Sequence, residues 1–504
     1  MWLLFLIFCS LVAGAVFVAV LAYKAPRLVS VTAVIVAFIS ILIWFILRSQ
    51  LPLTAELSPL LIWQIDETGW VVSLWLLLLL SGNLLAGFKM SAVEEPASFP
   101  QLLSPSFLLG LTAVTLVIVW ANSLPGMMMG WSALLLLWSG VVWGGTRRVE
   151  RSGLVRKLSL LWLGVLLMWL AVIWTDVTEA ALIMAVLLQL GIWTLGGWRP
   201  GLGKMEPSVA ALVYLLPVTA GGVLLLHLLG VPAGMRSNTL LLLTLLGLLG
   251  ILLSLRLAWE RLHVPLRTAA ALTVVAVHLV LLAGVWAGQA AALAELRVVL
   301  LAGGILFLAA NRPISRIFWW RAVAPVVALA ALVGVPLTAG FAGLSALYEG
   351  LVADGRILLL LALLFLQMPL LTAGLLLCRP RGEGEGGTAV SRTDLIQDAG
   401  MLLLALGLFS LNGMAAADWW AWLLPLLIMV GGSVIYRFVG EFRKTTAAVR
   451  QAFHLELPIG RITRGLQLWW QGIQEAFGEA AAILEGDGNL LWLFAIVIIF
   501  LLVR

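Results

Sequence analysis

The chain has 504 residues, of which 63% are hydrophobic and 11% charged, and its mean hydropathy is +1.12. So little polar surface cannot cover a water-soluble globule, which excludes soluble enzymes and binding modules and leaves a polytopic membrane protein. The net charge of +6 belongs with orientation in the bilayer rather than with a nucleic-acid partner.

A helix needs about 20 apolar residues to cross the hydrocarbon core and must satisfy its own backbone hydrogen bonds there. Sixteen segments meet that test. They are predicted near 2–22, 28–47, 69–88, 106–121, 127–144, 157–175, 179–195, 208–229, 238–258, 268–288, 297–311, 322–352, 356–378, 396–412, 419–438 and 489–503. The Leu, Val and Ala runs show no polar alternation, which argues against an outer-membrane barrel. The first run lacks a preceding basic residue and is followed by Lys24 and Arg27, the reverse of a secretory signal, so it reads as a retained helix.

If the segments alternate across the membrane, most basic residues fall on one side, among them Arg147, Arg148, Arg151, Lys157, Arg312, Arg321, Arg443 and Lys444. The other side receives little more than Arg48, Arg236, Arg297, Arg356 and Arg504. By the positive-inside rule the first set is cytoplasmic and both termini face outward, in the inner membrane of a prokaryote. Cys9 and Cys378 lie in or beside apolar spans and supply neither a disulfide framework nor a metal motif.

Three places interrupt the apolar helices. The first is GIWTLGGWRPGLGKMEPS, with Trp198 and Pro200. The second is LVGVPLTAGFAG, where Pro336 and the flanking Gly334 and Gly340 break a span too long for one straight helix. A packing kink is the bland alternative there. The third is the basic, Trp- and Glu-rich stretch 439–488, whose segment RITRGLQLWWQGIQEAFGEAAAILEG sets Ile462, Leu466, Trp469 and Ile473 at helical spacing against charged residues. That pattern fits a helix lying along the membrane surface, or a solvated linker helix.

In this order, these elements resemble the antiporter-like membrane subunits of respiratory complex I, of multisubunit cation/proton antiporters and of membrane-bound hydrogenases. LIWQIDETGWVVSLWLLLL is similar to the start of the family's third helix, and VIVWANSLPGMMMGWSALLLLWSGVVWG to its tandem fourth and fifth helices. LLQLGIWTLGGWRPGLGKMEPSVAALVYLLPVTAGGVLLL resembles its broken seventh helix with Trp-x-Pro, and LVGVPLTAGFAG its second broken helix. The resemblance implies an all-α polytopic membrane protein with two inverted five-helix repeats, a C-terminal amphipathic lateral helix and a final span. The corresponding divisions are N-terminal helices 1–105, repeats 106–229 and 238–378, C-terminal helices 379–438, the amphipathic segment 439–488 and the final span 489–504.

The chain departs from that family at the buried ionisable positions. Where the family carries a glutamate in its fifth helix this sequence has Ser132, and Gln189 replaces a lysine in the seventh. Tyr214 or Ala220 takes the place of the eighth-helix histidine or lysine, Gly303 that of the eleventh-helix lysine, and Leu344 that of the charged residue after Gly-Phe in the second broken helix. A charge at the bilayer centre costs about 2.5–3.5 kcal/mol on insertion scales and persists where it is used. Its replacement implies a structural, non-pumping member of the family.

His278 is the titratable group expected near the middle of a span; its intrinsic pKa of about 6.5 suits proton handling, while hydrogen bonding to a neighbouring helix is the bland role. His227 is expected nearer an outer helix end, and the carboxylates Asp66, Glu67, Asp176, Glu179, Glu349 and Asp354 in solvated outer loops.

Two function classes follow. One is a membrane-arm subunit of a complex I-like or hydrogenase-like assembly, bound to other membrane subunits and lipid, with protons or sodium as the family's ions. This chain has no iron-sulfur or nucleotide motif, so iron-sulfur clusters, flavin or a NiFe centre would belong to partner subunits. The other is a stand-alone polytopic enzyme or carrier, for example one acting on lipid-linked substrates; a proton-conducting subunit that uses other residues is the third alternative.

Overall fold

The computed structural model describes residues 2–25, 28–58, 61–88, 99–145, 151–174, 178–191, 205–230, 237–310, 312, 319–378, 392–409 and 419–452. Helices dominate these residues. In chain order they are α1 (Trp2–Lys24), α2 (Val29–Leu47), α3 (Glu67–Ala86), α4 (Phe99–Trp120), α5 (Leu124–Gly145), α6 (Arg151–Ile173), α7 (Thr178–Gln189) and α8 (Pro207–Leu229). Then follow α9 (Ser237–Glu260), α10 (Pro265–Ala287), α11 (Gln289–Ala309), α12 (Val323–Leu332), α13 (Ala339–Ala353), α14 (Ile357–Leu377), α15 (Arg392–Leu406) and α16 (Leu423–Ala452). Contacts divide the chain into two units, Met1–Arg151 with Lys157–Tyr436, and Ser152–Arg156 with Arg437–Arg504; the fold described here is that of the first.

Nine helices among the described residues are long and apolar enough to cross a membrane. Burial sorts them. The apolar windows of α8 and α10 are each 94% buried and that of α11 83%, whereas those of α1 and α2 are 28% and 33% buried. The first three therefore form the core, with α11 packed against α8, α10, α12 and α13. In α1 and α2 one stripe is buried, including Leu4, Ile7, Leu11, Ala33, Ala37 and Trp44, while Phe17, Phe38 and Leu42 point outward. Outward apolar residues on a spanning helix are what lipid contact requires, since in a bilayer the hydrophobic effect does not drive them inside.

The predicted span at 322–352 divides at its Gly-Pro segment into α12 and α13, as the proline and glycines there required. Gly334 and Leu337 adopt φ of +70° and +74°, a left-handed geometry that costs little at glycine and more at leucine. Gly340 is needed for another reason: a Cβ there would lie 1.8 Å from the carbonyl oxygen of Ala331. The first turn of α13 thus runs directly over the last turn of α12.

The predicted bounds at 297–311 need correction, because α11 begins at Gln289. Glu295 and Arg297 made the sequence look like a loop margin; in the structure both lie within a membrane-spanning helix, so Arg297 is not an outer-loop residue. A two-stranded hairpin outside the predicted spans, β1 (Leu53–Ser58) and β2 (Leu61–Ile65), precedes α3. It closes one end of the bundle: Asn122 N–H donates to Ile62 C=O at 3.0 Å just beyond α4. Of the predicted amphipathic segment 439–488, residues 439–452 continue α16 without a break at the predicted span end of 438, while its remainder and the final span 489–504 lie outside the described residues, as do Trp198 and Pro200.

Candidate functional site

The buried polar groups of the spanning helices form the candidate site, and each position that the resemblance singles out has a definite local setting. Ser132 Oγ donates to Met128 C=O within α5 at 2.9 Å, a bond that satisfies the hydroxyl inside its own helix. Gln189 ends α7, fully buried, with Nε2 donating to Leu161 C=O of α6 at 3.2 Å. Its Oε1 has no partner, and Gly164 of α6 makes the room, since a Cβ there would stand 2.7 Å from Nε2. Helix α7 stops two residues before Gly191, whose φ is +76°.

Tyr214 is buried on α8 with its ring 5.4 Å from that of Phe307 on α11. Ala220 is fully buried on α8. At Gly303 a Cβ would meet Thr273 Cγ2 at 3.0 Å, so α10 and α11 approach closely there. Leu344 is buried against Gly334 at the break. These positions are filled by packing, and no long side chain has room at Gly303 without separating two core helices.

His278 is fully buried on α10. Its Nδ1 lies 2.6 Å from Val274 C=O one turn back, which places the ring proton on that nitrogen, and Nε2 has no partner. The ring sits in a notch that Gly250 of α9 opens; a Cβ there would stand 1.8 Å from Nε2. His227, by contrast, is exposed at the hairpin end, with Nδ1 3.0 Å from Val223 C=O. It lines a cavity of about 280 Å³ together with Gln64, Asp66, Asn122 and Gln289. Asp66 also caps α3, its Oδ1 accepting from Gly69 N–H at 2.7 Å, as the Asp-x-x-Gly order at a helix start allows.

The second helix break carries the charged residues that the sequence reading placed elsewhere. Helix α15 ends beside it, and Ala339 N–H, an orphan donor of α13's first turn, bonds Leu408 C=O at 2.7 Å. Arg297 of α11 closes the same junction, with Nε donating to Gly407 C=O and Nη2 to Phe409 C=O, both at 2.7 Å. A cation on the carbonyl end of a helix is favoured by the helix dipole as well as by the bonds. The guanidinium also lies 5.7 Å from the Trp75 ring centre.

Glu295, two residues earlier, is fully buried and neither carboxylate oxygen has a hydrogen-bond partner. Gly343 of α13 lies against it; a Cβ there would stand 2.3 Å from Oε1. On the same helix the Tyr348 hydroxyl, also buried, donates to Gln367 Oε1 of α14 at 2.7 Å. Glu295, near the start of α11, thus joins His278, near the middle of α10, as a titratable group buried in a spanning helix. One signal could have found it: Gly288 before Gln-Ala-Ala-Ala-Leu-Ala reads as the end of one helix and the start of the next. Starting the span there encloses the glutamate.

At the far end of α11, Arg312 and Arg321 flank the buried Asp398 of α15, with Arg321 Nε donating to its Oδ2 at 3.1 Å. Arg312 also bonds Gln397, whose Nε2 donates to Phe88 C=O beyond α3 at 2.9 Å. This network ties α15 to the ends of α3, α11 and α12. Among the described residues no group of three or more His, Cys, Asp or Glu side chains is arranged to hold a metal.

No family model and no curated protein sequence matches this chain. Its fold does match solved structures. A chain of the Mrp complex from Dietzia sp. DQ12-45-1b superposes with TM-score 0.69 at 15% identity over 99% of this chain, which spans 62% of that chain's length. A chain of the membrane-bound sulfane sulfur reductase, an archaeal respiratory membrane complex, gives TM-score 0.65 at 15% identity over 99% of both chains. One of respiratory complex I from Thermus thermophilus gives 0.58 at 18% identity, covering 81% of this chain and 98% of the other. The chain thus shares its fold with chains of these three complexes.

Proposed function

We propose that this chain is an antiporter-like membrane subunit of a multisubunit respiratory or antiporter assembly, and that it does not pump along the pathway its family uses. The observation that carries the reading is the shared fold over 99% of the chain with subunits of two such assemblies. The parting of α12 from α13 at the Gly-Pro segment supports it. In this reading 106–229 and 238–378 are inverted repeats, both termini face outward from a prokaryotic inner membrane, and redox groups reside in partner subunits.

The non-pumping part rests on the site. A transmembrane relay needs groups that hold or pass a proton across the bilayer centre. At the family's positions stand a self-satisfied Ser132, a neutral Gln189, the packed Ala220 and Gly303, and an apolar Leu344. What the scaffold retains is its helix packing, which suits a subunit that anchors neighbours.

Purification from native membranes in mild detergent tests assembly. A large complex carrying other membrane subunits is the expected result, and a monodisperse monomer turning over a lipid-linked substrate defeats the reading. Proteoliposomes holding the purified subunit test the second part. Passive proton flux at the level of empty vesicles is expected; flux abolished by His278→Ala would show a working relay.

A further inference from the structure

Glu295 stands six residues into α11, about 9 Å along the axis at 1.5 Å per residue. At that depth its carboxyl group meets no donor and no cation. Arg297 turns toward the carbonyls of Gly407 and Phe409. His278 faces Gly250, and Asp398 is held by Arg312 and Arg321. Tyr348 of α13 gives its hydroxyl proton to Gln367, whose Nε2 has no acceptor.

An ionised carboxylate in that setting would lose its hydration and gain neither an ion pair nor a hydrogen bond, a far larger penalty than burying the neutral acid. A glutamate that served packing alone would be replaced by leucine or glutamine at lower cost. Gly343 instead leaves the space that the carboxyl group fills.

We propose that Glu295 is a proton-binding site inside the membrane, lying against Gly343 in the first half of α13. Uptake forms one O–H bond on the carboxylate and release breaks it, with the proton exchanged with water. The site is eight residues from Gly303 on the same helix, off the row of positions that the family resemblance implies. It stands or falls independently of the assembly in which the chain works.

The test uses the full-length protein in its native membranes and in vesicles of phosphatidylethanolamine and phosphatidylglycerol. Dicyclohexylcarbodiimide dissolves in the bilayer and adds to protonated carboxyl groups, and peptide mass spectrometry locates the adduct. The expected result is an adduct on Glu295 that excess sodium at constant pH leaves unchanged, and that is absent in Glu295→Gln. Infrared spectroscopy of the unmodified protein gives a second readout, a protonated-carboxyl stretch that Glu295→Gln removes. Either the adduct or the band supports the site. Absence of both overturns it, and protection of Glu295 by sodium overturns the proton in favour of a metal cation.

Discussion

The end of α7 and the break between α12 and α13 are two junctions that bury polar groups of different chemistry. Where α7 stops, the buried polar group is a neutral amide, Gln189, that makes one bond to α6 and leaves one oxygen unmatched. Where α12 gives way to α13, a guanidinium bonds the end of α15 and a carboxyl group is buried close by. A neutral amide at the first junction carries little insertion cost and little chemistry. The second junction keeps two ionisable groups in the membrane helix α11, and such groups persist at that cost where structure or function uses them. Among the described residues the buried polar group at the first junction is thus neutral, while the second junction has ionisable groups within α11.

The largest effect that separates the junctions is expected at Gly340. Alanine there would place its Cβ 1.8 Å from a backbone oxygen, and neither partner is a side chain that can turn aside. The break itself must shift, so Gly340→Ala is expected to abolish accumulation of folded protein, read as loss of the monodisperse peak in detergent. Gly164→Ala beside Gln189 meets only the end of an amide side chain and is expected to leave that peak in place. Equal behaviour of the two variants would erase the contrast.

Next in size is Arg297→Met. It leaves two helix-end carbonyls without their donor, and bonds to charged groups contribute about 1.5–3 kcal/mol each. A loss of about 3 kcal/mol is expected after allowing for the partly exposed Phe409 contact. Thermal unfolding in nanodiscs would register it as a clear fall in Tm. Arg297→Lys keeps the charge but cannot span both carbonyls, so an intermediate Tm is expected. An unchanged Tm in both variants would mean that the guanidinium does not hold the junction.

The sequence made the helices legible because each needs a long apolar run, and Gly-Pro within LVGVPLTAG announced the second break. It did not disclose what surrounds that break. Hydropathy treats a charged residue as a reason to end a span, and so it moved Glu295 and Arg297 out of α11. Their partners come from elsewhere in the chain: Gly343 from α13, Gly407 and Phe409 from beyond α15. The hairpin at 53–65 was hidden similarly, because its five- and six-residue strands are too short to stand out beside the apolar spans. His278 was legible as buried, yet its confinement by Gly250 depends on packing between α9 and α10.

The smallest effect, and the one that weighs the first junction directly, belongs to Gln189. Its single bond to Leu161 is a long neutral contact of 3.2 Å, and the unmatched Oε1 already carries a desolvation cost. A neutral hydrogen bond contributes about 0.5–1.5 kcal/mol net, while removing a buried unpaired acceptor returns a comparable amount. Gln189→Leu should therefore change stability by less than about 1 kcal/mol in either direction, below the effect of Arg297→Met in the same nanodisc melt. A fall as large as that of Arg297→Met would mean that the amide anchors α7 as firmly as the guanidinium anchors α15. The first junction would then rest on polar contacts beyond the one to α6, and neutral and charged junctions would no longer differ in strength.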